Sequence, residues 1–179
     1  GRFDNGVNLQ AGLRYDDNNQ FEDILVWNVA GSYEFGRGVR LHASAGTGAV
    51  NPSYFQLTDN FFPAFPPFTT TNTEYIGNSA LTPERNRSFD IGVEFPILQD
   101  RGTIDITYFN ETLTDEIETE YLGFDPVTNT DSFTFVNQQG DSTREGLEVF
   151  GSLQATDDLS LRMAYTFLEA ENPDGSVEI

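Results

Sequence analysis

Apolar and polar side chains alternate one by one along most of this chain. From Leu159 to Phe167, the odd-numbered residues are all apolar or aromatic, and the even-numbered residues between them are small or polar. A period of two residues is typical of a β-strand with one apolar face, because successive side chains point to opposite faces of a sheet. The pattern recurs along the chain, and no stretch shows a convincing helical period. The predicted strands cover residues 7–15, 27–35, 39–47, 88–95, 104–108, 146–153 and 159–167.

The connections between these strands alternate between short and long. The short ones are residues 36–38, 96–102 and 154–158, and the long ones are residues 16–23, 48–87 and 111–132. In an up-and-down antiparallel sheet, successive connections lie at opposite ends. Short turns at one end and long loops at the other are typical of outer-membrane barrels. The predicted fold class is therefore all-β: an antiparallel up-and-down meander of about seven strands from a transmembrane β-barrel.

A soluble β-sandwich is the alternative, because its strands also alternate. Three features favour the barrel. The strands are long compared with the usual length of about five or six residues. Charged side chains such as Arg40 and Glu94 fall on the polar face. Large aromatic side chains such as Trp27 and Tyr165 fall near strand ends, where membrane barrels carry aromatic girdles.

Composition narrows the classes of function. The chain has 29 acidic residues against nine basic residues, all of them arginine, and its formal net charge is −20. Nucleic-acid binding needs a basic surface, so this balance argues against it. Cysteine is absent, which excludes disulfides, thiolate metal sites and cysteine nucleophiles.

Six short segments carry a resemblance to a known family. In "RLHASAGTGAVNPSYFQL" (40–57), a strand ends in Ser-x-Gly-x-Gly and runs into an x-Pro loop. In "GNSALTPERNRSFDIGVE" (77–94), an Asn-x-x-Leu-x-Pro-Glu segment enters the next strand. The other four are "GLRYDD" (12–17), "ITYFNETLTDEI" (106–117), "VNQQGDSTREGLEVFGSL" (136–153) and "LSLRMAYTFLEAE" (159–171). With these segments in order, the chain resembles the β-barrel part of TonB-dependent outer-membrane receptors over nearly its whole length.

The resemblance implies a partial barrel domain, residues 1–179, that looks like a middle-to-late slice without the plug domain and TonB box of the family. It implies a part of an active transporter in the outer membrane of a Gram-negative bacterium. The imported solute would be scarce and large, such as a ferric siderophore, cobalamin or glycan, and the barrel wall and extracellular loops would bind it. The implied partners are outer-membrane lipid, lipopolysaccharide, the solute, and a TonB-type energy-transducing protein that acts through the plug.

Enzyme activity and cofactors are not implied by this resemblance. A passive outer-membrane porin or another barrel scaffold is the alternative function. An outer-membrane hydrolase is a third possibility, and it would need a catalytic constellation that the sequence does not show.

The long connection 48–87 contains the candidate substrate contacts. Its segment "DNFFPAFPPF" (59–68) is rich in phenylalanine and proline, and proline disfavours a central strand or a helix interior. We expect a stiff loop whose residues 59–76 are the most irregular part of the chain. Its aromatic side chains either contact the solute or pack within the loop region. The candidates are Tyr54, Phe55, Phe61, Phe62, Phe65, Phe68 and Tyr75.

Other polar residues receive structural interpretations. His42 is the only histidine, and zinc binding is improbable without a second histidine or a cysteine. We expect His42 to face the barrel lumen, opposite Ser32. Asp90, Glu94 and Asp105 are interpreted as solvated lumen residues rather than a catalytic carboxylate pair. The acids of the long loops suit divalent cations, but no spacing matches a defined calcium loop, so we interpret them as a solvated rim.

Overall fold

The computed structural model describes residues 6–178, in which twelve strands form two sheets. In chain order the strands are β1 (Val7–Asp16), β2 (Ile24–Glu34), β3 (Arg40–Val50), β4 (Asn60–Phe62), β5 (Asn72–Ile76), β6 (Glu84–Ile97), β7 (Gly102–Thr114), β8 (Ile117–Asp125), β9 (Thr130–Asn137), β10 (Asp141–Gln154), β11 (Ser160–Glu171) and β12 (Val177–Glu178). The helical elements are a 3-10 turn, Gly36–Gly38, and α1, Tyr54–Leu57. No helix within residues 6–178 is long and apolar enough to cross a membrane.

The main sheet contains all seven predicted strands. Its order is β1-β2-β3-β6-β7-β10-β11-β12, and every neighbouring pair in it is antiparallel. The predicted antiparallel meander is therefore confirmed. The strands run further toward the long connections than the sequence predicted: β6 begins at Glu84 and β7 continues to Thr114.

The hairpin of β2 and β3 has the register that its alternation predicts. Glu34 lies opposite Arg40, and Ser32 lies opposite His42. In the turn between them, Arg37 and Gly38 adopt positive φ of 70° and 75°. The guanidinium of Arg40 pairs with the Glu94 carboxylate on β6, with 3.1 Å between Nη2 and Oε2.

One face of the main sheet is a set of apolar rows. Tyr33, Leu41, Val93, Ile106 and Val149 form one such row across five adjacent strands. These side chains lie on a single layer, and many remain exposed, up to 73% for Leu13. Toward the long connections, the same face becomes polar on β7, β10 and β11. The polar row there consists of Asn110, Glu145 and Glu169.

The few fully buried apolar side chains all lie at the long-connection end. Among the described residues these are Ile24, Pro52, Leu81, Pro83 and Phe135. The main sheet therefore has no internal core, as expected for a barrel wall whose apolar face meets lipid.

A second, smaller sheet lies within the connections that the sequence predicted as loops. Its order is β4-β5-β9-β8, and its β5–β9 pair is parallel. The expectation that residues 59–76 are the most irregular part of the chain is therefore wrong for 60–62 and 72–76, which form paired strands. The prolines act locally, since β4 ends immediately before Pro63. β5 is only five residues long and pairs with a strand over fifty positions away, so its own sequence gives little signal.

Candidate functional site

Aromatic side chains from the connection between β3 and β6 and from the connection between β7 and β10 meet on one face of the smaller sheet. Among the candidates, Phe55, Phe62 and Tyr75 come together: the ring centroid of Tyr75 lies 5.3 Å from that of Phe55 and 6.0 Å from that of Phe62. Tyr75 also stacks on Phe133 and Phe135, at centroid distances of 5.4 and 5.7 Å.

The second connection supplies rings that the sequence interpretation missed. Tyr121 lies 5.1 Å from Phe133, and both belong to the β8–β9 hairpin. The signal was present, because Phe133 and Phe135 are two residues apart and so share one face of a strand. We call the following six residues the aromatic platform: Phe55, Phe62, Tyr75, Tyr121, Phe133 and Phe135.

Strand register explains why these rings share a face. Tyr75 on β5 lies beside Phe133 on β9, and Phe133 lies beside Tyr121 on β8. The exposed fraction of the side chains differs across the platform. Phe135 is only 6% exposed, while Phe62 and Tyr121 at the margins are 50% and 54% exposed. A buried base and accessible edges give a surface that is held rigidly and can still be reached by a ligand.

The remaining candidates lie apart from the platform. Phe65 and Phe68 stack on each other, with centroids 5.7 Å apart and planes inclined by 9°, and both are exposed. Phe61 is the neighbour of Phe62 on β4, so its side chain points to the opposite face of the smaller sheet. Tyr54 is also exposed. The structure thus brings three of the seven candidates together, and their contact with a solute stays a prediction.

Short-range hydrogen bonds fix the segments that carry the platform. Ser53 caps α1, accepting from the backbone N–H of Gln56 while the Gln56 side chain accepts from the Ser53 N–H at 2.8 Å. This capping box sets the turn that presents Phe55. Asn78 donates to the carbonyl oxygen of Phe135 at 2.8 Å, which ties the connection before β6 to β9.

The smaller sheet is also tied to the end of the main sheet. The backbone N–H of Ile117 donates to the Glu84 carboxylate at 2.8 Å. Asn137 donates to the carbonyl oxygens of Thr82 and Asp115 at 3.0 and 2.7 Å. The platform is therefore held in place by the main sheet and is not carried on a free loop.

The charged residues in the segments that contain the smaller sheet are all acidic. Residues 51–83 and 115–141, which contain the smaller sheet, have nine acidic residues and no arginine, lysine or histidine. The acids are Asp59, Glu74, Asp115, Glu116, Glu118, Glu120, Asp125, Asp131 and Asp141. Within the described residues, no group of three or more acidic or histidine side chains is arranged to hold a metal ion.

Two of these acids have defined partners. The Tyr121 hydroxyl donates to Asp131 Oδ1 at 3.0 Å, and this bond raises the pKa of Tyr121 above its usual 10.0. Asp125 accepts from the backbone N–H of Val127 and the hydroxyl of Thr128, both at 2.8 Å. These bonds lower the pKa of Asp125 and fix the β8–β9 turn.

The polar face of the main sheet is filled by side-chain pairs. His42 Nε2 lies 2.8 Å from Asp105 Oδ2, and the Thr107 hydroxyl donates to Asp105 Oδ1 at 2.7 Å. The His42 ring lies in the space left by Gly92, since a Cβ at that position would be 2.5 Å from His42 Cε1. Ser32 lies opposite His42 as predicted.

Each carboxylate proposed as a solvated lumen residue has its own partner. Asp90 accepts from the Ser44 hydroxyl, Glu94 pairs with Arg40, and Asp105 pairs with His42. The Asp105 contact with His42 was not predicted, because a diagonal pair across β3, β6 and β7 depends on Gly92 lying between them. The arrangement is a set of separate polar contacts rather than a pair of carboxylates that share a substrate.

Comparisons with known proteins identify the family of this chain and structures that share its fold. A sequence model of the family described as TonB dependent receptor-like, beta-barrel matches residues 2–178. The siderophore receptor PirA of Pseudomonas aeruginosa superposes with a TM-score of 0.77 at 22% identity, covering 92% of this chain and 31% of that chain. A mutant ferric enterobactin receptor of the same organism, in complex with enterobactin, gives 0.73 at 21% identity, covering 94% and 25%.

A third structure is more distant in sequence. A double mutant of the Serratia marcescens hemophore receptor HasR, in complex with its hemophore HasA and heme, gives a TM-score of 0.64 at 15% identity, covering 93% of this chain and 30% of that chain. The chain spans about a third or less of the length of these structures. At these identities the superpositions establish the shared fold.

Proposed function

Because the chain belongs to the family of TonB dependent receptor-like β-barrels, we propose that it forms part of the wall and extracellular mouth of an outer-membrane active transporter. The transporter imports a large, scarce solute. The apolar rows of the main sheet face lipid, the paired polar face lines the lumen, and the aromatic platform stands at the outer entrance. The platform is the observation that carries the substrate part of the proposal.

The wall assignment is supported by where the apolar rows stop. On β6, β7, β10 and β11, the outward side chains are predominantly apolar below the row of Asn110, Glu145 and Glu169, and they are polar or charged above it. On β1 and β2 the same face stays apolar further toward the long connections, with Leu13 and Trp27. A band of apolar side chains with a polar boundary on four neighbouring strands suits the hydrocarbon layer of an outer membrane. The acidic residues above the boundary would lie at the level of lipid headgroups and lipopolysaccharide.

The solute binds first at the platform in this proposal. Six rings that are already held by mutual packing and by the capping box can offer apolar area with little loss of conformational entropy. Phe62, Tyr75 and Tyr121 would make the main contacts. Tyr54, Phe61 and the Phe65–Phe68 pair would contribute less, at the margins.

Release inward requires energy from outside the barrel. We propose that a plug domain closes the lumen and that a TonB-type protein of the inner membrane displaces it after the solute has bound. The family consists of transporters and receptors, and the carboxylates of the wall are engaged in side-chain pairs. The proposal therefore contains no catalytic step and no cofactor.

Energised uptake by the full-length protein tests the proposal. Accumulation of a ferric chelate, a corrinoid and an oligosaccharide is measured in cells with and without the gene, and in a strain lacking TonB. We expect accumulation of one solute class to require both proteins. Equal accumulation without TonB would instead indicate a passive pore.

The substrate contacts are tested separately by binding to the purified full-length protein. Replacing Phe62 and Tyr121 with serine should weaken binding of the imported solute at least tenfold, about 1.4 kcal/mol. Phe68→Ser removes a more exposed aromatic ring outside the platform and should have a much smaller effect. If the Phe68 variant weakens binding as much as the double variant, the platform is not the main contact.

A further inference from the structure

We propose that the outward face of the main sheet, the face of the apolar rows, binds the phosphate of an outer-leaflet lipid at Arg85 and Arg87 on β6. The inference rests on the proposed function, because it takes the apolar rows to face lipid. It is supported by the position of the two arginines, by a cavity in the sheet beside them, and by the unpaired guanidinium of Arg87.

The position of Arg85 and Arg87 is unusual among the strand arginines. Alternation along β6 places both on the outward face, together with Phe89. The other arginines on described strands lie on the polar face, and they are Arg14, Arg40, Arg144 and Arg162. The two outward arginines are therefore adjacent on one face of one strand.

Their level on the sheet suits a lipid headgroup. Phe89 is in register with Asn110, which belongs to the polar boundary row, and its ring is 47% exposed. Arg87 lies two residues further toward the long connections, which is about 6.6 Å along a strand. An arginine just beyond the apolar band can keep its stem on apolar surface and its guanidinium among the headgroups.

The main sheet forks beside these arginines. The β2–β3 ladder ends at Asn28 and Gly46. Both strands continue beyond this pair, but residues 24–27 then pair only with β1 and residues 47–50 only with β6. The fork leaves an opening between two neighbouring strands of the proposed wall.

A cavity of about 340 Å³ lies at this fork, within the range of roughly 300–1,000 Å³ that is typical of ligand sites. Its lining is apolar on β2 and cationic on β6, with hydroxyl groups on the strands beside them. The lining residues that define this character are Leu25, Trp27, Thr47, Arg85, Arg87 and Thr112. An anionic lipid matches such a lining, because its acyl chains and its phosphate are adjacent.

The charges of the cavity leave a guanidinium free for the phosphate. Within residues 6–178, the Arg87 side chain makes no ion pair and no hydrogen bond. Arg85 pairs with Glu22, but the two side chains are 36% and 60% exposed, and so exposed an ion pair is weak enough for a phosphate to replace it. Guanidinium groups match phosphate oxygens with parallel hydrogen bonds.

One carboxylate in the lining opposes an anion. Asp141 lies in the same row as Arg85, with Thr114 between them. Its charge should weaken phosphate binding, which provides a variant whose expected effect has the opposite sign.

Binding of one lipid with and without its phosphates tests the proposal. Purified full-length protein in a nonionic detergent is titrated with diphosphoryl lipid A and with enzymatically dephosphorylated lipid A, and the complexes are measured by native mass spectrometry. A chelator is present throughout, so that a divalent ion cannot bridge phosphate to carboxylates. We expect the diphosphoryl form to bind at least tenfold more tightly. Inorganic phosphate, which lacks acyl chains, should compete only weakly.

Variants locate the phosphate. The Arg85→Gln, Arg87→Gln double variant should weaken binding of diphosphoryl lipid A at least tenfold and leave the dephosphorylated form unchanged. Arg162→Gln removes the same charge from the polar face of β11 and should change neither affinity. Asp141→Asn should tighten binding of the diphosphoryl form. Folding of each variant is checked by its resistance to unfolding in sodium dodecyl sulfate without heating.

The outcomes separate this inference from the proposed function. Equal binding of the two lipid A forms, or a preference that the double variant keeps, would overturn the phosphate site while leaving the lipid-facing wall intact. Inorganic phosphate that competes as well as lipid A would show a site for soluble anions and would also overturn it. The binding assay needs neither TonB nor an imported solute, so loss of energised uptake would remove the transporter proposal without changing these results.

Discussion

The two sheets of this chain differ in how far their apolar side chains are exposed and packed against one another. On the main sheet, residues such as Leu13, Met163 and Tyr165 stand in rows on a single layer and are more than half exposed. On the smaller sheet, the rings contact one another at centroid distances of 5.1 to 6.2 Å, and Phe135 is buried. The same chain therefore contains a surface suited to an external apolar solvent and a small packed cluster suited to water.

This difference indicates which contacts stabilise the main sheet and which stabilise the smaller sheet. A single layer cannot bury its apolar face alone, so the proposed wall would depend on ladder hydrogen bonds and on lipid against that face. The smaller sheet depends on ring packing and on side-chain bonds such as those of Asn78 and Asn137. Changes in the two regions should therefore have different consequences, and four substitutions test this from the largest expected effect to the smallest.

Removing the buried ring of the smaller sheet should have the largest effect. Phe135→Ala leaves a cavity beneath Phe55 and Tyr75, and phenylalanine-to-alanine changes at buried sites cost about 3–5 kcal/mol. We expect hydrogen exchange to accelerate in β8 and β9 while β7 and β10 keep their protection. Phe68→Ala, at an exposed position, should change exchange little. Equal loss of protection in both sheets would show that they form one cooperative unit.

A charge on the apolar face should destabilise the wall. Met163 lies in the apolar part of β11, and arginine near the bilayer midplane of a barrel costs about 2–4 kcal/mol. We expect Met163→Arg to lower the free energy of unfolding by that amount, measured by urea titration in lipid vesicles. Ala164→Arg places the same charge one residue along, on the polar face, and should cost less than about 1 kcal/mol. Similar costs for both would contradict the assignment of faces.

A methyl group at Gly92 should disturb the polar face to a smaller degree. A Cβ there meets the His42 ring and the Thr107 hydroxyl, and overpacking typically costs about 1–3 kcal/mol. Gly151→Ala is the matched control, because a Cβ at Gly151 meets nothing within 4 Å. Urea titration should show a loss for Gly92→Ala and almost none for Gly151→Ala. A neutral Gly92 variant would show that the His42 contact is easily displaced.

The smallest effect is a pH dependence in the β8–β9 turn. Folding lowers the pKa of Asp125, so the stabilisation is fully present above the unfolded pKa of about 3.9 and is lost as pH falls through the folded value. Local opening at Val127, measured by hydrogen exchange corrected for the intrinsic rate, should therefore increase on acidification. Asp125→Asn should make the opening nearly independent of pH. Local opening at Val127 that increases as pH rises would contradict a lowered pKa of Asp125 in the folded turn.

The main sheet was predictable because its information is local. Period-two alternation identifies each strand, and the turn at residues 36–38 fixes the register of Glu34 and Arg40. The conformation of that turn is less evident from the sequence, since Arg37, which is not a glycine, adopts positive φ.

The smaller sheet was not predictable in the same way. β5 pairs in parallel with β9, and Tyr75 meets Phe133 from a distant connection, so no window along the sequence contains both partners. The candidate aromatic residues were identified by composition, but composition could not separate Phe62 and Tyr75 from the Phe65–Phe68 pair. The His42–Asp105 contact depends similarly on the gap at Gly92.

The most direct test of the central claim is the environment of alternate residues along β11. Residues 1–179 contain no cysteine, so single cysteines at positions 161 to 167 can each carry a spin label in lipid vesicles, in full-length protein from which any cysteine elsewhere has been replaced. The account predicts that oxygen, which concentrates in the hydrocarbon layer, reaches labels at positions 161, 163, 165 and 167 much better than those at 162, 164 and 166. Equal oxygen accessibility at odd and even positions, or low accessibility at all of them, would contradict a lipid-facing wall.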